Sequence, residues 1–356
     1  MPPIRVLIVD DSAVIRRQLS KALASDPEIA IAGTAGSGTL ALLRIAELKP
    51  DLVTLDVEMP GMDGLQTLVE LRKLYPRLPT IMFSSLTGPG ASATVDALAR
   101  GASDYATKPS HAGSPEAARE HVLRELVPKI KALCRPRAIP VLPSSSVLVP
   151  RIALQNRVDV VAIGSSTGGP NALAELIPQF PIDFGLPILI VQHMPPMFTN
   201  LLAVRLNGVG KLKVQEAKDG EKLQSGQIWI APGDYHMVVS GEPHDPKIGL
   251  NKNAPENSCR PAVDCLFRSV ASCFGPHVLA VVLTGMGSDG TRGAEAIRNA
   301  GGTVIVQDEA SSVVWGMPGS VVCAGLADKI CPLNGIAGEV LRRTAHRIKV
   351  AGSARS

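Results

Sequence analysis

The chain has few aromatic residues and no long hydrophobic run. Phe, Trp and Tyr make up 3% of its 356 residues, whereas hydrophobic residues together make up 45%. Its cores must therefore be aliphatic, a composition that suits parallel sheets covered on both faces. The longest apolar runs, 186–191 and 278–283, fall far short of the ~20 residues that cross a bilayer. We therefore expect no direct membrane insertion.

The six cysteines and the basic residues also lack functional clustering. No two cysteines are spaced as Cys-x-x-Cys, and none has a histidine at zinc-binding spacing. The net charge is +4 and the Lys and Arg residues are spread along the chain, which argues against nucleic-acid binding. No charged lead and apolar segment open the sequence, so we expect no signal peptide and a cytoplasmic protein with free thiols.

The length suggests about two domains. Both halves alternate short apolar runs with amphipathic segments, which predicts parallel α/β sheets with right-handed crossovers. Between them, residues 131–156 hold four prolines and three consecutive serines, a composition typical of a linker. We predict an α/β domain over 1–130, this Pro/Ser-rich linker, and a doubly wound, mainly parallel α/β domain over 157–350.

Three acidic residues of the first domain follow predicted strands. Asp10 and Asp11 come after the strand 5–9, and Asp56 comes after the strand 52–55. Ligand sites of open α/β sheets form at that edge. Clustered carboxylates would repel one another there unless a hard cation lay among them, and Mg²⁺ accepts a few carboxylates while it keeps several waters.

A hydroxyl and an ammonium group follow the next two predicted strands. Ser84 comes after the strand 79–83, and Lys108 comes after the strand 102–107. Both groups should converge on the same edge of the sheet. A site of this kind suits the transfer of a phosphoryl group to a carboxylate and the stabilisation of its oxygens.

These strand-end residues resemble those of a two-component receiver domain. The resemblance covers residues 1 to about 130 and is carried by the runs 9–12, 55–64, 84–85 and 108–109. It implies a flavodoxin-like (βα)5 fold, a phosphorylated Asp56 and a histidine kinase as phosphodonor. It also implies that Asp10, Asp11 and Asp56 hold Mg²⁺.

The same resemblance assigns the remaining residues of this site. Ser84 contacts the phosphoryl group and Lys108 pairs with it. Tyr105 stands where the family places an aromatic switch residue. The alternative for Tyr105 is a tyrosine that packs at the edge of the core.

A glycine-rich turn follows the first predicted strand of the second domain, 158–163. Gly164, Ser166 and Gly168 fit the nucleophile-elbow pattern, a sharp turn from a strand into a helix. The N-terminus of that helix offers free N–H groups where an oxyanion would form. A phosphate-binding loop is the alternative, although the segment lacks the lysine of a P-loop.

A serine nucleophile needs a base, and we favour His193 among seven histidines. It ends the strand 187–191, at the same sheet edge as Ser166, and two prolines that redirect the chain follow it. His236 is the second candidate. A histidine at a strand end is commonly a structural residue, and the pairing with the glycine-rich turn favours His193.

A carboxylate should orient the imidazole and stabilise its charged form. Asp289 lies in the glycine-rich loop 284–290, after the predicted strand 278–283. It could equally be the N-cap of a helix, and the two roles are compatible. Asp308, after the strand 303–306, is the alternative.

The chain order Ser, His, Asp differs from the order of α/β-hydrolases. Residues 156 to 350 instead resemble the chemotaxis receptor methylesterases in the runs 163–169, 192–196, 230–233, 260–264, 283–290 and 315–318. This resemblance implies that Ser166 is the nucleophile, His193 the base and Asp289 the residue that orients it. The backbone N–H groups of Thr167 and Met286 are the implied oxyanion donors.

The two resemblances together imply a phosphorylation-activated serine esterase of sensory adaptation. Its substrates would be glutamate γ-methyl esters on chemoreceptors, with release of methanol, and specific receptor glutamines, which it would deamidate. Hydrolysis needs no cofactor, and Mg²⁺ belongs to the receiver. The chain departs from the family at Cys259, where His is usual, and at Met197, where Gly is common. The main alternative is a receiver-controlled binding module.

Overall fold

The structure is a computed structural model that describes residues 2–85, 88–109, 114–135 and 157–353, with side chains up to residue 345. It divides the chain into two compact units, Met1–Arg137 and Ala138–Ser356. Residues 136–156 of the predicted linker lie outside the described residues, so the predicted domain limits stay predictions. None of the helices described in these ranges is long and apolar enough to cross a bilayer.

The first unit is a five-stranded sheet in the order β2-β1-β3-β4-β5, and its neighbouring strands pair in parallel. This is the flavodoxin-like order that the sequence predicts. The strands are β1 (Ile4–Val9), β2 (Ile29–Ala35), β3 (Leu52–Asp56), β4 (Thr80–Ser84) and β5 (Asp104–Thr107). The helices are α1 (Ala13–Leu23), α2 (Gly38–Leu48), α3 (Gly64–Leu74), α4 (Gly88–Ala99) and α5 (Pro115–Cys134).

The second unit is a seven-stranded sheet in the order β14-β13-β12-β6-β7-β9-β8, again with parallel pairs, and a separate antiparallel pair, β10-β11. The strands are β6 (Val160–Ser165), β7 (Ile188–Gln192), β8 (Lys213–Glu216), β9 (Gln227–Ile230), β10 (His236–Ser240), β11 (Lys247–Asn251), β12 (Val278–Val282), β13 (Thr303–Gln307) and β14 (Lys329–Cys331). The helices are α6 (Gly169–Leu176), α7 (Phe198–Val209), α8 (Val263–Phe274), α9 (Thr291–Asn299), α10 (Gly316–Cys323) and α11 (Leu333–Ser353), with 3-10 turns at Ile177–Gln179 and Gly275–His277.

The central strands are buried because both faces of each sheet are covered. Every residue of β6, β7 and β12 is buried, and these strands consist mainly of Val, Ile, Leu and Ala. The chain first builds outward from β6 through β7 and then returns to the other side of β6 with β12. The order therefore reverses at β6, where α/β sheets open a crevice at the carboxyl ends of their strands.

The observed elements differ from the predicted ones where polar or glycine-rich segments hide a helix or a strand. The sequence predicts a helix from residue 95, whereas α4 begins at Gly88, with a proline in its first turn where a missing N–H costs nothing. The sequence also misses β8, β10, β11 and β14, which are short and, apart from β10, hold one buried residue each. The helix predicted from Asp289 begins at Thr291, which leaves Asp289 in the preceding loop.

Candidate active site and phosphorylation site

The three predicted carboxylates of the first unit meet at the carboxyl ends of β1 and β3. Asp10 and Asp56 are buried and Asp11 is exposed, and one carboxylate oxygen of each lies within 4.8 Å of the others. The Ser12 N–H donates to Asp10 Oδ1 at 2.9 Å, and the Glu58 N–H donates to Asp56 Oδ1 at 3.3 Å. One oxygen of each buried carboxylate is therefore fixed by the backbone.

Lys108 joins the other oxygens of the buried pair. Its Nζ lies 3.0 Å from Asp10 Oδ2 and 2.8 Å from Asp56 Oδ2. Burial raises the pKa of Asp56 to about 6, although the hydrogen bond and charge of Lys108 oppose this shift. The repulsion of Asp10 adds to it. A single ammonium group thus leaves two adjacent carboxylates incompletely neutralised.

This donor set fits Mg²⁺. Asp10 Oδ2 and Asp56 Oδ2 are buried and, in the described part of the chain, accept no hydrogen bond beyond their contacts with Lys108. Their lone pairs are hard oxygen donors of the kind that Mg²⁺ binds, and the exposed Asp11 leaves one side open to water. The acidic triad of Asp10, Asp11 and Asp56 is consistent with a magnesium site.

Ser84 and Tyr105 lie on β4 and β5 and have other partners. Ser84 Oγ donates to the Gly90 carbonyl oxygen at 3.0 Å, so its hydroxyl is turned toward the first turn of α4. The Tyr105 side chain is 6% exposed, and Lys129 donates to the Tyr105 carbonyl oxygen at 2.6 Å and lies 4.8 Å from the ring centroid. The buried ring suits both predictions made for Tyr105, a switch residue and a core residue.

The glycine-rich turn of the second unit connects β6 to α6. Gly168 has a φ of +79°, whereas Ser166 is not among the described residues with positive φ. The strain that a nucleophile elbow places on its serine is therefore carried here by a glycine. A Cβ at Gly169 would collide with the side-chain oxygen of Gln192, so the helix can begin this close to β7 only with glycine at that position.

Gln192 fastens the ends of β6 and β7 to each other. Ser165 Oγ donates to Gln192 Oε1 at 2.7 Å, and Gln192 Nε2 donates to the Ser166 carbonyl oxygen at 2.9 Å. The His193 N–H donates to the Ser165 carbonyl oxygen at 3.2 Å. Since Ser165 and Gln192 are paired in register, Ser166 and His193 follow directly on neighbouring strands. The sequence motif contains Gln192, but nothing in it indicated this role.

His193 and Asp289 form the hydrogen bond that the sequence predicts. His193 Nε2 lies 2.8 Å from Asp289 Oδ2. A carboxylate can only accept, so Nε2 carries the proton and Nδ1 is the nitrogen left to act as a base. Burial alone would lower the pKa of His193, but the bond to Asp289 and the adjacent Cys259 outweigh it and raise that pKa.

Cys259 lies at the nitrogen that would act as base. Its Sγ is 3.5 Å from His193 Nδ1, and in the described residues no hydrogen bond joins Ser166 Oγ to the ring. Such bonds are often long without substrate and tighten when it binds. The sequence identified Cys259 as a departure from the family, and the structure places it beside the predicted base.

Asp289 caps a helix, but a different one from the helix that the sequence suggested. It accepts from the N–H groups of Val263 at 2.6 Å and Asp264 at 3.0 Å, the first two residues of α8. Ala262, the N-cap of α8, supplies no side-chain bond of its own. Burial would raise the pKa of Asp289, but His193 and these N–H groups outweigh it and lower that pKa.

Asp264 caps the next helix, α9, in the same way. Its Oδ1 accepts from the N–H of Gly293, in the first turn of α9, at 2.7 Å. Asn257 Nδ2 then donates to both carboxylates, at 3.0 Å to Asp264 Oδ2 and 2.9 Å to Asp289 Oδ1. The sequence indicated no role for Asp264 or Asn257, because their contacts with Asp289 join residues far apart in the chain.

The loop after β12 packs against the turn that contains Ser166. The Ser166 N–H donates to the Thr284 carbonyl oxygen at 3.1 Å, and Thr284 Oγ1 donates to the Thr167 carbonyl oxygen at 3.0 Å. A Cβ at Gly285 would collide with Ser166 and Met317. The Met286 N–H, next in this loop, has no hydrogen-bond partner within the described ranges, as an oxyanion donor requires before substrate binds.

The second candidates for base and carboxylate have other partners. His236 is buried, with Nε2 3.1 Å from the Ala254 carbonyl oxygen and Nδ1 accepting from the Ala262 N–H at 3.2 Å. Both ring nitrogens of His236 are thus used by the backbone. Asp308 accepts from the N–H of Ser311 at 3.0 Å, in a local turn. These partners suit structural roles.

Comparisons with known proteins match the chain over nearly its full length. The family model for CheB methylesterase matches residues 161–340, and the model for the response regulator receiver domain matches residues 6–117. A Trichodesmium erythraeum protein-glutamate methylesterase/protein-glutamine glutaminase is 50% identical over 96% of this chain and 99% of its own. The Nocardioides sp. protein of the same name is 47% identical over 98% and 97%.

A solved structure matches the second unit. The catalytic domain of the Thermotoga maritima CheB methylesterase is 43% identical, covers 52% of this chain and 99% of its own, and superposes with a TM-score of 0.51. The two relatives and the two family models agree with this likeness. The chain belongs to the CheB family of protein-glutamate methylesterases/protein-glutamine glutaminases that carry an N-terminal receiver domain.

Proposed function

We propose that this chain hydrolyses glutamate γ-methyl esters on chemoreceptors and deamidates specific receptor glutamines, with Ser166 as its nucleophile. The observation that carries the proposal is the meeting of three strand ends. Ser166, His193 and the loop of Asp289 follow the neighbouring strands β6, β7 and β12. The 2.8 Å bond between His193 and Asp289 leaves a basic ring nitrogen on the strand beside the serine.

In the first half of the reaction, Ser166 Oγ attacks the γ-carbonyl carbon of the substrate. The hydroxyl proton passes to His193 Nδ1, and the carbonyl oxygen becomes an oxyanion. The backbone N–H of Met286, with that of Thr167, would stabilise this charge. Asp289 stabilises the imidazolium that forms and keeps its ring in place. Collapse of the intermediate expels methoxide, which takes the proton from His193 and leaves as methanol.

In the second half, water attacks the acyl-enzyme. His193 takes a proton from that water, and the bond between Ser166 and the acyl group breaks with return of the proton to the serine. The product is a receptor glutamate. A glutamine side chain enters the same sequence with ammonia as the leaving group, because ester and amide share the tetrahedral intermediate. These steps need no group beyond the residues named and water.

The receiver domain is proposed to control this activity through Asp56. Asp56 would accept a phosphoryl group from a histidine kinase, with Lys108 pairing with the phosphoryl oxygens. Asp10, Asp11 and Asp56 would hold Mg²⁺, which supplies positive charge for the phosphoryl oxygens when it is bound. For Ser84 to contribute, its hydroxyl must exchange the Gly90 carbonyl oxygen for the phosphoryl group. Kinase, receptor tails and this chain would meet in the cytoplasm.

The deciding experiment measures methanol release from methylated receptor membranes. The full chain, Ser166→Ala and Asp56→Ala are compared with and without a small phosphodonor plus Mg²⁺. We expect release that requires Ser166 and that rises with phosphodonor only when Asp56 is present. Ser165→Ala is the matched control for the serine turn, since Ser165 Oγ is turned to Gln192.

Two outcomes would overturn the proposal. Equal methanol release by the full chain and Ser166→Ala would remove Ser166 from the reaction. No release by any variant, on receptor that a control enzyme demethylates, would leave the alternative of a receiver-controlled binding module.

A further inference from the structure

The segment Glu256–Cys259 is a tight turn with an unusual backbone. The N–H of Cys259 donates to the Glu256 carbonyl oxygen at 2.8 Å, and the N–H of Glu256 donates back at 3.1 Å. Asn257 and Ser258, the two central residues, have φ values of +51° and +62°. Two left-handed residues in succession are costly unless glycine or asparagine occupies them, and they often mark functional turns.

The turn is anchored from both sides. Arg268 donates to Glu256 Oε1 at 2.6 Å, and the Cys265 thiol donates to the same oxygen at 3.0 Å. On the other side, Arg260 donates to Asp234 Oδ1 at 3.0 Å. The anchors hold an exposed segment in one conformation, and that conformation directs the Asn257 amide inward, onto the buried carboxylates.

The amide of Asn257 completes a reciprocal arrangement of two helices. Asp289, just before α9, caps α8, while Asp264, inside the first turn of α8, caps α9. Each carboxylate also accepts a hydrogen bond from Asn257 Nδ2 in this turn, at 2.9 Å for Asp289 and 3.0 Å for Asp264. Both acceptors are carboxylate oxygens, so the amide nitrogen and not the amide oxygen must face them.

The arrangement places two buried carboxylates next to each other, and only one of them contacts the catalytic histidine. Burial raises the pKa of Asp264, and the charge of Asp289 adds to that increase. Among the described side chains, Asn257 is the one that donates to both carboxylates. It offers one proton to each, so it links the two acids without adding a charge.

We propose that Asn257 is a positioning residue for the catalytic site: its amide bridges Asp264 and Asp289 and so holds the Asp289 carboxylate against His193. It touches no reacting atom and acts through Asp289. The proposal rests on the proposed function for its effect on turnover, but the bond that Asn257 supports exists without substrate and is measured without it.

The test compares three variants of the full chain. Asn257→Gly removes the amide and suits the left-handed backbone, so the turn is preserved. Ser258→Gly is the matched control, since it relaxes the neighbouring position and keeps the amide. Asn257→Asp keeps the shape but sets a third carboxylate against the buried pair.

For methanol release we expect kcat to fall about tenfold in Asn257→Gly, the usual size of effect for an outer partner of a functional histidine, with KM unchanged. Asn257→Asp should fall further, by about a hundredfold, because the added carboxylate repels the pair it faces. Ser258→Gly should equal the parent chain.

The second readout is the far-downfield proton resonance of the His193–Asp289 hydrogen bond, assigned by histidine labelling and its loss in His193→Ala. It should weaken or move upfield in Asn257→Gly and persist in Ser258→Gly. A resonance and a kcat that are unchanged in Asn257→Gly would overturn the proposal, as would a lower kcat with an intact resonance. If no variant releases methanol while the resonance still depends on Asn257, the proposed function fails and the positioning role stands.

Discussion

The two units each bury a pair of carboxylates, and one member of each pair, Asp56 or Asp289, responds to burial in the opposite direction. Asp10 and Asp56 are 0% and 2% exposed, and Asp264 and Asp289 are 1% and 2% exposed. Burial is thus the same. Yet the pKa of Asp56 is raised to about 6, because burial outweighs its partners, whereas partners outweigh burial at Asp289 and lower its pKa.

The difference lies in the donors. Asp56 receives one long backbone hydrogen bond, at 3.3 Å, and shares a single ammonium group with Asp10. Asp289 receives three backbone N–H groups, an amide and an imidazole, and it lies at the N-terminus of α8. A site with unsatisfied oxygens suits a cation and a phosphoryl group, which come and go. A site with every oxygen satisfied suits a permanent charge that orients a base.

Removing the charge of Asp289 should have the largest effect on turnover. In Asp289→Asn, an amide oxygen at the Oδ1 position would keep the N–H groups of Asp264 and Gly290, and the amide nitrogen would face His193. The ring would then carry its proton on Nδ1, where the proton of Ser166 must go. We expect kcat to fall by about 10⁴-fold, as for the equivalent change in a serine protease. Asp308→Asn, at the carboxylate that only closes a local turn, should leave methanol release intact. A loss below tenfold would show that Asp289 serves mainly as a helix cap.

The charge of Asp289 should also set the pH dependence of hydrolysis. His193 must be neutral to accept a proton, and its pKa is raised because Asp289 and Cys259 outweigh burial. The rate therefore rises with pH, and the midpoint of kcat/KM should lie above ~6.5, the ordinary histidine value. The assay is basal methanol release across the neutral range, without phosphodonor. A midpoint at or below the ordinary value would contradict an ionised Asp289 beside the ring.

The receiver pair should respond to removal of charge in the opposite direction, with a gain in stability. The pKa of Asp56 is about 6 in the folded chain, above the ordinary ~3.9, so stability is lost as pH rises between these values. The penalty is complete above pH ~6, and Asn, like the protonated acid, does not carry it. In metal-free buffer at neutral pH, Asp56→Asn should raise the melting temperature of the receiver by roughly 3–6 °C.

Metal should reproduce this stabilisation in the parent chain alone. Mg²⁺ binds the folded carboxylates, so it should raise the melting temperature of the unmodified receiver and have little effect on Asp56→Asn. Calorimetry with and without a chelator measures both. A lower melting temperature in Asp56→Asn would mean that the ion pair with Lys108 contributes more than the burial of Asp56 costs.

Much of this contrast follows from order along the chain. In both units, the predicted residues lie at the carboxyl ends of strands whose apolar runs are easily recognised, and parallel pairing brings such ends together. Asp10, Asp56 and Lys108 meet for this reason, as do His193 and Asp289, and Ser166 follows the strand beside that of His193. Order along the chain does not predict which helix a carboxylate caps. The helix predicted to begin at Asp289 begins at Thr291, and Asp289 instead caps α8, which is distant in the chain.

The contacts that the sequence did not reveal join residues far apart in the chain. Asn257 lies 32 positions from Asp289, and Cys259 lies 66 positions from His193. Neither residue directly follows a strand of the parallel sheet, which is where the sequence predicted site residues. Their turn depends on two residues with left-handed backbone, which no sequence pattern predicted. Asparagine is common in turns, so at position 257 it indicates a turn and not a role in catalysis.

The smallest predicted effect concerns Cys259, the thiol beside His193. Cys259 Sγ lies 3.5 Å from His193 Nδ1, where it competes with Ser166 and, as a weak acceptor for the protonated ring, helps to raise the pKa of the ring. Cys259→Ala should move the midpoint of kcat/KM to lower pH and change the plateau rate by less than about threefold. It should also protect the enzyme from iodoacetamide, whose adduct on Cys259 would block Nδ1. Cys273→Ala, whose thiol donates to the Gly241 carbonyl oxygen, is the control and should stay sensitive. Equal inactivation of Cys259→Ala and the parent chain would place the reactive thiol elsewhere, and an unchanged midpoint of kcat/KM in Cys259→Ala would leave Asp289 to set the basicity of His193.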